Sequence, residues 1–171
     1  WKDRFCDKEF LYHLLMAPFA QGEEPVFGTK LFSILLSAGV FAAFAAFLTA
    51  HGARWTPLWC FALASMGGPF LLRISFIRPH VLSVLLFIAG LHLLIRRRRR
   101  ALAALGFVCA WSYSFPFVLP ILAVPFALGR LWAGEEPDWG SPAALLGGTL
   151  LGLLIHPYAP HTLESLLTYI Q

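Results

Sequence analysis

Charge is scarce in this chain. Nine of its 171 residues are Asp or Glu, and charged residues of both signs make up 13 % of it. A soluble domain normally carries about twice that share, which excludes a water-facing globular surface all round. Cysteine is scarce as well. Cys6, Cys60 and Cys109 are odd in number and show no metal-like spacing, so neither a disulfide framework nor a cysteine metal site is indicated. Cys60 and Cys109 lie in apolar stretches and read as small hydrophobes, while Cys6 stands alone in a polar segment. No internal repeat, low-complexity linker or signal-peptide pattern is visible. The chain opens at Trp1 without Met and reaches Gln171 at the start of a helical pattern, which reads as part of a longer membrane protein.

Apolar residues fill the space that charge leaves. They make up 58 % of the chain, with 16 Phe and 6 Trp suited to lipid-facing and interfacial positions. The formal charge of +4 comes almost entirely from Arg96 to Arg100, so it is no sign of nucleic-acid binding. Glu9 to Phe19 has apolar residues at helical spacing but is too short to span a bilayer, and reads as an amphipathic interfacial helix. Lys30 to Ala50 has the roughly 20 residues a bilayer requires. Pro57 to Ile77 is interrupted by Gly67-Gly68-Pro69, where a bend or break is expected. His80 to Ile95, Ala101 to Phe115, Phe117 to Leu131 and Ser141 to Ile155 follow, with Pro116 and Pro120 breaking the chain between the second and third of these. Gly39 with Ala43, and Gly148 with Gly152, are small residues four apart that allow close helix packing. The expected fold is all-α: a polytopic transmembrane helical bundle of five to six membrane segments with short interfacial amphipathic helices. Its expected divisions are 1–28 as an external loop with an amphipathic helix, 29–161 as the transmembrane domain, and 162–171 as the start of a further interfacial helix.

Five consecutive arginines cannot enter hydrocarbon, and such runs beside short loops stay cytoplasmic. The run reads as a topology determinant, with contact to anionic lipid incidental to that role. Placing Arg96 to Arg100 inside puts 1–28, Arg78 to His80, Trp111 to Pro116 and His156 to His161 outside, and Arg54 and Arg130 inside. A single long tilted helix over 101–131 is the alternative, and it inverts everything after it.

With the run inside, the unusual polar residues collect on the external face. They are Asp3, Asp7, Lys8, Glu9 and His13; Arg73, Arg78 and His80; Trp111, Ser112, Tyr113 and Ser114; and His156, Tyr158 and His161. Arginine binds phosphate through a bidentate fork, and a carboxylate can take a proton from an attacking hydroxyl. Each piece also has a plainer reading. Asp7 and Glu9 suit the N-terminal end of a helix dipole. Glu9 and His13 form either a helical pair or half of a metal site. Arg73 and Arg78 are either snorkelling anchors or ligand-binding groups. Trp111 and Tyr158 also suit an aromatic belt. His51 and His92 fall on the inner side.

Asp7-Lys8-Glu9-Phe10-Leu11-Tyr12-His13, Arg78-Pro79-His80-Val81-Leu82-Ser83, the Trp111 hairpin and His156-Pro157-Tyr158 occur in an order that resembles the polytopic membrane glycosyltransferases of the GT-C superfamily, in particular uncharacterised bacterial members. Two pieces depart from the usual pattern: the turn reads His156-Pro157-Tyr158-Ala159 in place of an Asn-Pro-Tyr-Gly-like sequence, and Ser112-Tyr113-Ser114 stands where Asn and His often follow the Trp. The resemblance implies an integral protein of a bacterial inner membrane. It implies transfer of a sugar from a polyprenyl-phosphate donor to an acceptor at the external face. In that scheme Asp7 or Glu9 is the catalytic acid group, or helps to hold a divalent cation such as Mg or Mn. Arg73, Arg78 and His80 bind the lipid phosphate, and His13, Tyr113, His156 and Tyr158 line the substrate. Such enzymes carry an acidic residue just after a first transmembrane helix, which this chain does not include. The rival readings are a transporter or flippase-like protein, with Gly67-Gly68-Pro69 and the Pro116 hairpin as broken helices, and a non-catalytic subunit of a membrane complex.

Overall fold

The computed structural model describes residues 6–162 and 164, with backbone alone at positions 69, 71, 73 and 74. The described residues are all-helical, with no strand. Eight helices follow one another: α1 Phe10–Ala20, α2 Pro25–Ala50, α3 Thr56–Ala64, α4 Gly68–Ser75, α5 His80–Ile95, α6 Arg99–Ser112, α7 Val118–Trp132 and α8 Gly140–Leu154. Asp3 and most of the helix expected over 162–171 lie outside the described residues. The chain divides into two compact units, Trp1–Tyr12 with Leu93–Gln171, and His13–His92.

The unit His13–His92 contains the longest helix. Pro25 opens α2 at a position where its missing N–H costs no hydrogen bond. Its 26 residues span about 39 Å, more than the roughly 30 Å of a hydrocarbon core. Among the described residues α2 is the one helix long and apolar enough to cross a membrane. The expected interruption at Gly67-Gly68-Pro69 is present: α3 ends at Ala64, Gly67 takes φ +99°, and α4 starts at Gly68. Val40 and Val81 centre the core of this unit, packed by Leu36, Phe41, Phe70, Val84, Leu85 and Ile88. Gly39 is less critical than its spacing predicts, since an added Cβ would lie an ordinary 3.7 Å from Leu85. His51 Nε2 and His92 Nδ1 lie 3.2 Å apart and tie the end of α2 to α5. Helix α1 exposes Leu14 and Leu15 beside His13.

In the other unit, α6 packs most extensively against α8. Three glycines set the contact. A Cβ on Gly106 would strike the Leu145 carbonyl oxygen, one on Gly148 the Ala103 carbonyl oxygen, and one on Gly152 would lie 2.8 Å from the Phe107 carbonyl oxygen. The helices therefore touch backbone to backbone, as the Gly148/Gly152 spacing predicts, and Gly106 completes the contact. The partners advance together: Arg99 lies beside Asp138 and Gly140, Ala103 beside Gly148, and Ala110 beside Gly152. So α6 and α8 run parallel, and α7 returns the chain between them. A continuous helix over 101–131 is excluded, because α6 stops at Ser112 and α7 starts at Val118. Each of α6, α7 and α8 has 14 or 15 residues. That is about 21–23 Å, short of a full hydrocarbon core.

Three helices end in the same way. At the ends of α2, α5 and α7 the chain closes with paired backbone bonds: Gly52 to Thr49 and Ala53 to Leu48, Arg97 to Leu94 and Arg98 to Leu93, Gly134 to Leu131 and Glu135 to Arg130. This is the Schellman pattern, which places one residue in the left-handed region and suits glycine there. Gly52 and Gly134 fill that place with φ +69° and +74°. In the middle of the arginine run it is filled by Arg97, with φ +51°.

Candidate functional site

Parallel packing of α6 and α8 sets two ends apart. At the start of the pair, the Arg99 guanidinium reaches Asp138 at 2.7 Å. Burial works against the Asp138 carboxylate, but hydrogen bonds from Ser141 and Arg99 outweigh it and hold the carboxyl below the usual range. Arg130 pairs with Glu135 in the same loop.

At the far end, three remote pieces of chain meet. Asp7 Oδ1 accepts the Glu9 backbone N–H at 3.0 Å, a short Asx turn that leads into α1. Ser114 donates its hydroxyl to Glu9 Oε1 at 2.6 Å, across 105 positions of sequence. Glu9 Oε2 carries no hydrogen bond among the described residues. Phe10, the first residue of α1, meets Trp111, His156 and Tyr158 edge to face at 5.9, 6.4 and 6.1 Å between centroids. Trp111 donates its indole N–H to the Gly152 carbonyl at 2.9 Å, satisfying one of the orphan carbonyls at the end of α8. Burial, with the Glu9 charge second, pushes the Tyr12 phenol above its usual range.

His156 lies at the centre, 3 % exposed. Its Nδ1 accepts the Tyr158 backbone N–H at 3.2 Å and lies 3.0 Å from the Thr162 hydroxyl, which in turn meets the Cys6 thiol at 3.3 Å. A backbone N–H can only donate, so Nδ1 is the acceptor and the neutral ring carries its proton on Nε2. That N–H is buried and has no hydrogen-bond partner among the described residues. Burial lowers the pKa of the ring, and the Asp7 charge opposes the shift. Beside this group, Lys8, Tyr113, Ser114, Pro116, Leu153 and Thr162 line a crevice too narrow for a water molecule.

Five of the nine residues given a site role from sequence thus come together: Asp7, Glu9, Tyr113, His156 and Tyr158. His156 differs from the lining residue expected, because Phe10, Trp111 and Tyr158 cover it. The other four belong to the second unit. His13 is exposed on α1. Arg78 is exposed, with its guanidinium 5.7 Å from the Phe76 ring. His80 opens α5, and its carbonyl accepts the Ser83 hydroxyl at 2.7 Å. Arg73 lies on α4. Phe10 and Thr162 join the cluster through contacts that no local spacing announces, beside Trp111 and Ser114 of the expected external group. No group of three or more His, Cys, Asp or Glu among the described residues is placed to hold a metal ion. Asp7 and Glu9 each have one carboxylate oxygen engaged by a protein hydrogen bond.

Comparison with protein-family models, with curated proteins and with solved structures finds no match for this chain.

Proposed function

We propose that this chain belongs to a polytopic GT-C-like membrane glycosyltransferase, and that it moves a sugar from a polyprenyl-phosphate donor to an acceptor hydroxyl at the external face. The observation that carries this reading is the Glu9–Ser114 contact beside His156. It brings an acidic loop to a proline-broken hairpin, at the end of α6 and α8 remote from the arginine run. In the proposed reaction Glu9 takes the proton from the acceptor hydroxyl through its second oxygen, Oε2, while Ser114 holds Oε1. Asp7 shapes the loop. Arg73, Arg78 and His80, which belong to the other unit, are the groups that the sequence resemblance assigns to the phosphate leaving group. In this reading α5 to α8 are membrane-embedded together with α2.

The test is sugar transfer by purified full-length protein from polyprenyl-phosphate-linked sugars. Glu9→Gln is expected to lower kcat by about 10²–10⁴-fold with folding intact. Arg78→Ala is expected to raise KM for the donor. Wild-type rates in Glu9→Gln and Asp7→Asn together would overturn the residue roles, while no transfer or hydrolysis with any such donor would overturn the class. The break between α3 and α4 favours the transporter reading as the alternative. Substrate passage across sealed vesicles without transfer would select it.

A further inference from the structure

The turn between α5 and α6 holds more positive charge than the protein compensates. Arg96, Arg97, Arg98, Arg99 and Arg100 are all exposed. Arg99 bonds Asp138, and the guanidinium groups of the other four have no partner among the described residues. The first turn of α6 contains no acid, and Arg98 ahead of it makes no side-chain cap. Two arginines thus begin a helix at the end where cations are disfavoured. Arg97 also takes the left-handed position of the Schellman turn, where glycine fills the equivalent place at Gly52 and Gly134. A non-glycine residue is sterically disfavoured there. Local conformation and local electrostatics therefore both disfavour arginine at this turn, and bound anions relieve the electrostatic part. The surroundings say which anions. Ile95 at the end of α5 is 39 % exposed, and Trp132 at the end of α7, close in sequence to Asp138, is 94 % exposed. Unpaired guanidinium groups next in sequence to an exposed aliphatic, with an exposed Trp six residues before the Arg99 partner Asp138, fit the polar–apolar boundary of a bilayer.

We propose that the Arg96–Arg100 turn is a binding site for anionic phospholipid headgroups, with Arg96, Arg98 and Arg100 gripping lipid phosphate through bidentate forks. This goes beyond a role in setting topology and is independent of the proposed sugar transfer. It separates from a topology role because it predicts binding by protein that is already folded and purified, and because lysine, which keeps the charge, lacks the fork.

The experiment titrates the purified full chain in non-ionic micelles with phosphatidylglycerol, and separately with phosphatidylcholine of the same acyl chains. Binding is read as a rise in melting temperature and as lipid retained in native mass spectra. The expected result is saturable retention of phosphatidylglycerol over phosphatidylcholine. The combined Arg96→Gln, Arg98→Gln and Arg100→Gln variant should lose affinity by roughly a hundredfold, and the matching triple lysine variant by several-fold. Excess inorganic phosphate should compete weakly. Equal retention of the two lipids, or undiminished retention in a glutamine variant of unchanged helicity, would overturn the proposal. So would full affinity in the lysine variant, which would reduce the site to bulk charge. Displacement of the lipid by inorganic phosphate at similar concentration would assign the site to free phosphate and overturn the lipid assignment.

Discussion

His156 shows how one buried ring sets a pH dependence. Burial keeps its folded-state pKa below the ordinary 6.5, so the unfolded chain takes up a proton near that pH before the folded chain does. Stability is therefore full above pH 6.5 and falls as pH drops through that value towards the folded one. Thermal unfolding in detergent should show a lower melting temperature at about pH 5.5 than at about pH 7.5, and His156→Gln should flatten that difference. The Asp138 contribution has the same sign but is lost only below the ordinary carboxylate pKa, so it stays outside this window. Trp111 provides a second residue-scale case. Trp111→Phe keeps the ring against Phe10 and His156 but leaves the Gly152 carbonyl unpaired. A cost of about 1–3 kcal/mol is expected, read in the same melting assay.

At the scale of elements, α6 and α8 depend on the absence of side chains. Gly148→Ala should destabilise by about 1–3 kcal/mol or more, because its Cβ meets the backbone of Ala103. Gly147→Ala, one position along, has open space and should stabilise by up to about 1 kcal/mol through helix propensity. Opposite signs at adjacent glycines separate the contact from the propensity. The three Schellman turns give a parallel test. Gly52→Ala and Gly134→Ala should each cost on the order of 1 kcal/mol, while Arg97→Gly should gain a similar amount in lipid-free micelles. Sequence spacing already pointed to much of this. Gly148 and Gly152 are four apart, Gly67-Gly68-Pro69 marks a break, and Pro116 marks a hairpin. Gly106 and Arg97 were not legible. The first matters through what α8 brings against it, and the second is a left-handed residue in a run that reads simply as charge.

For the whole molecule, the arrangement of the ends is the strongest expectation. The Asp138 loop and the His156 turn lie at opposite ends of α6 and α8. Cysteines placed at Glu136 and Ala159 should label from opposite sides of sealed vesicles, Glu136 from the side of the arginine run. Labelling of both from one side would overturn the membrane orientation. The gathering of Asp7, Glu9, Tyr113, His156 and Tyr158 was legible from the charge run and the alternation of apolar spans, because both act at the scale of segments. Their contacts were not. Ser114 reaches Glu9 across 105 positions and Thr162 reaches a histidine inside a turn, and such pairings depend on packing that no local pattern encodes. Arg78 and His80 lie in the unit His13–His92, apart in sequence from the segments that build this cluster.

The shortness of α6, α7 and α8 has a further consequence. On the membrane-embedded arrangement proposed above, helices of about 21–23 Å match a bilayer thinner than average, and a normal one must compress around them. Hydrophobic mismatch then becomes a control on where the protein is comfortable. Reconstitution into lipids of decreasing acyl length should raise its melting temperature before lowering it. The optimum should lie at shorter chains than for a protein built from helices the length of α2, and the thinned annulus would itself lower the barrier to lipid movement beside the Glu9 end.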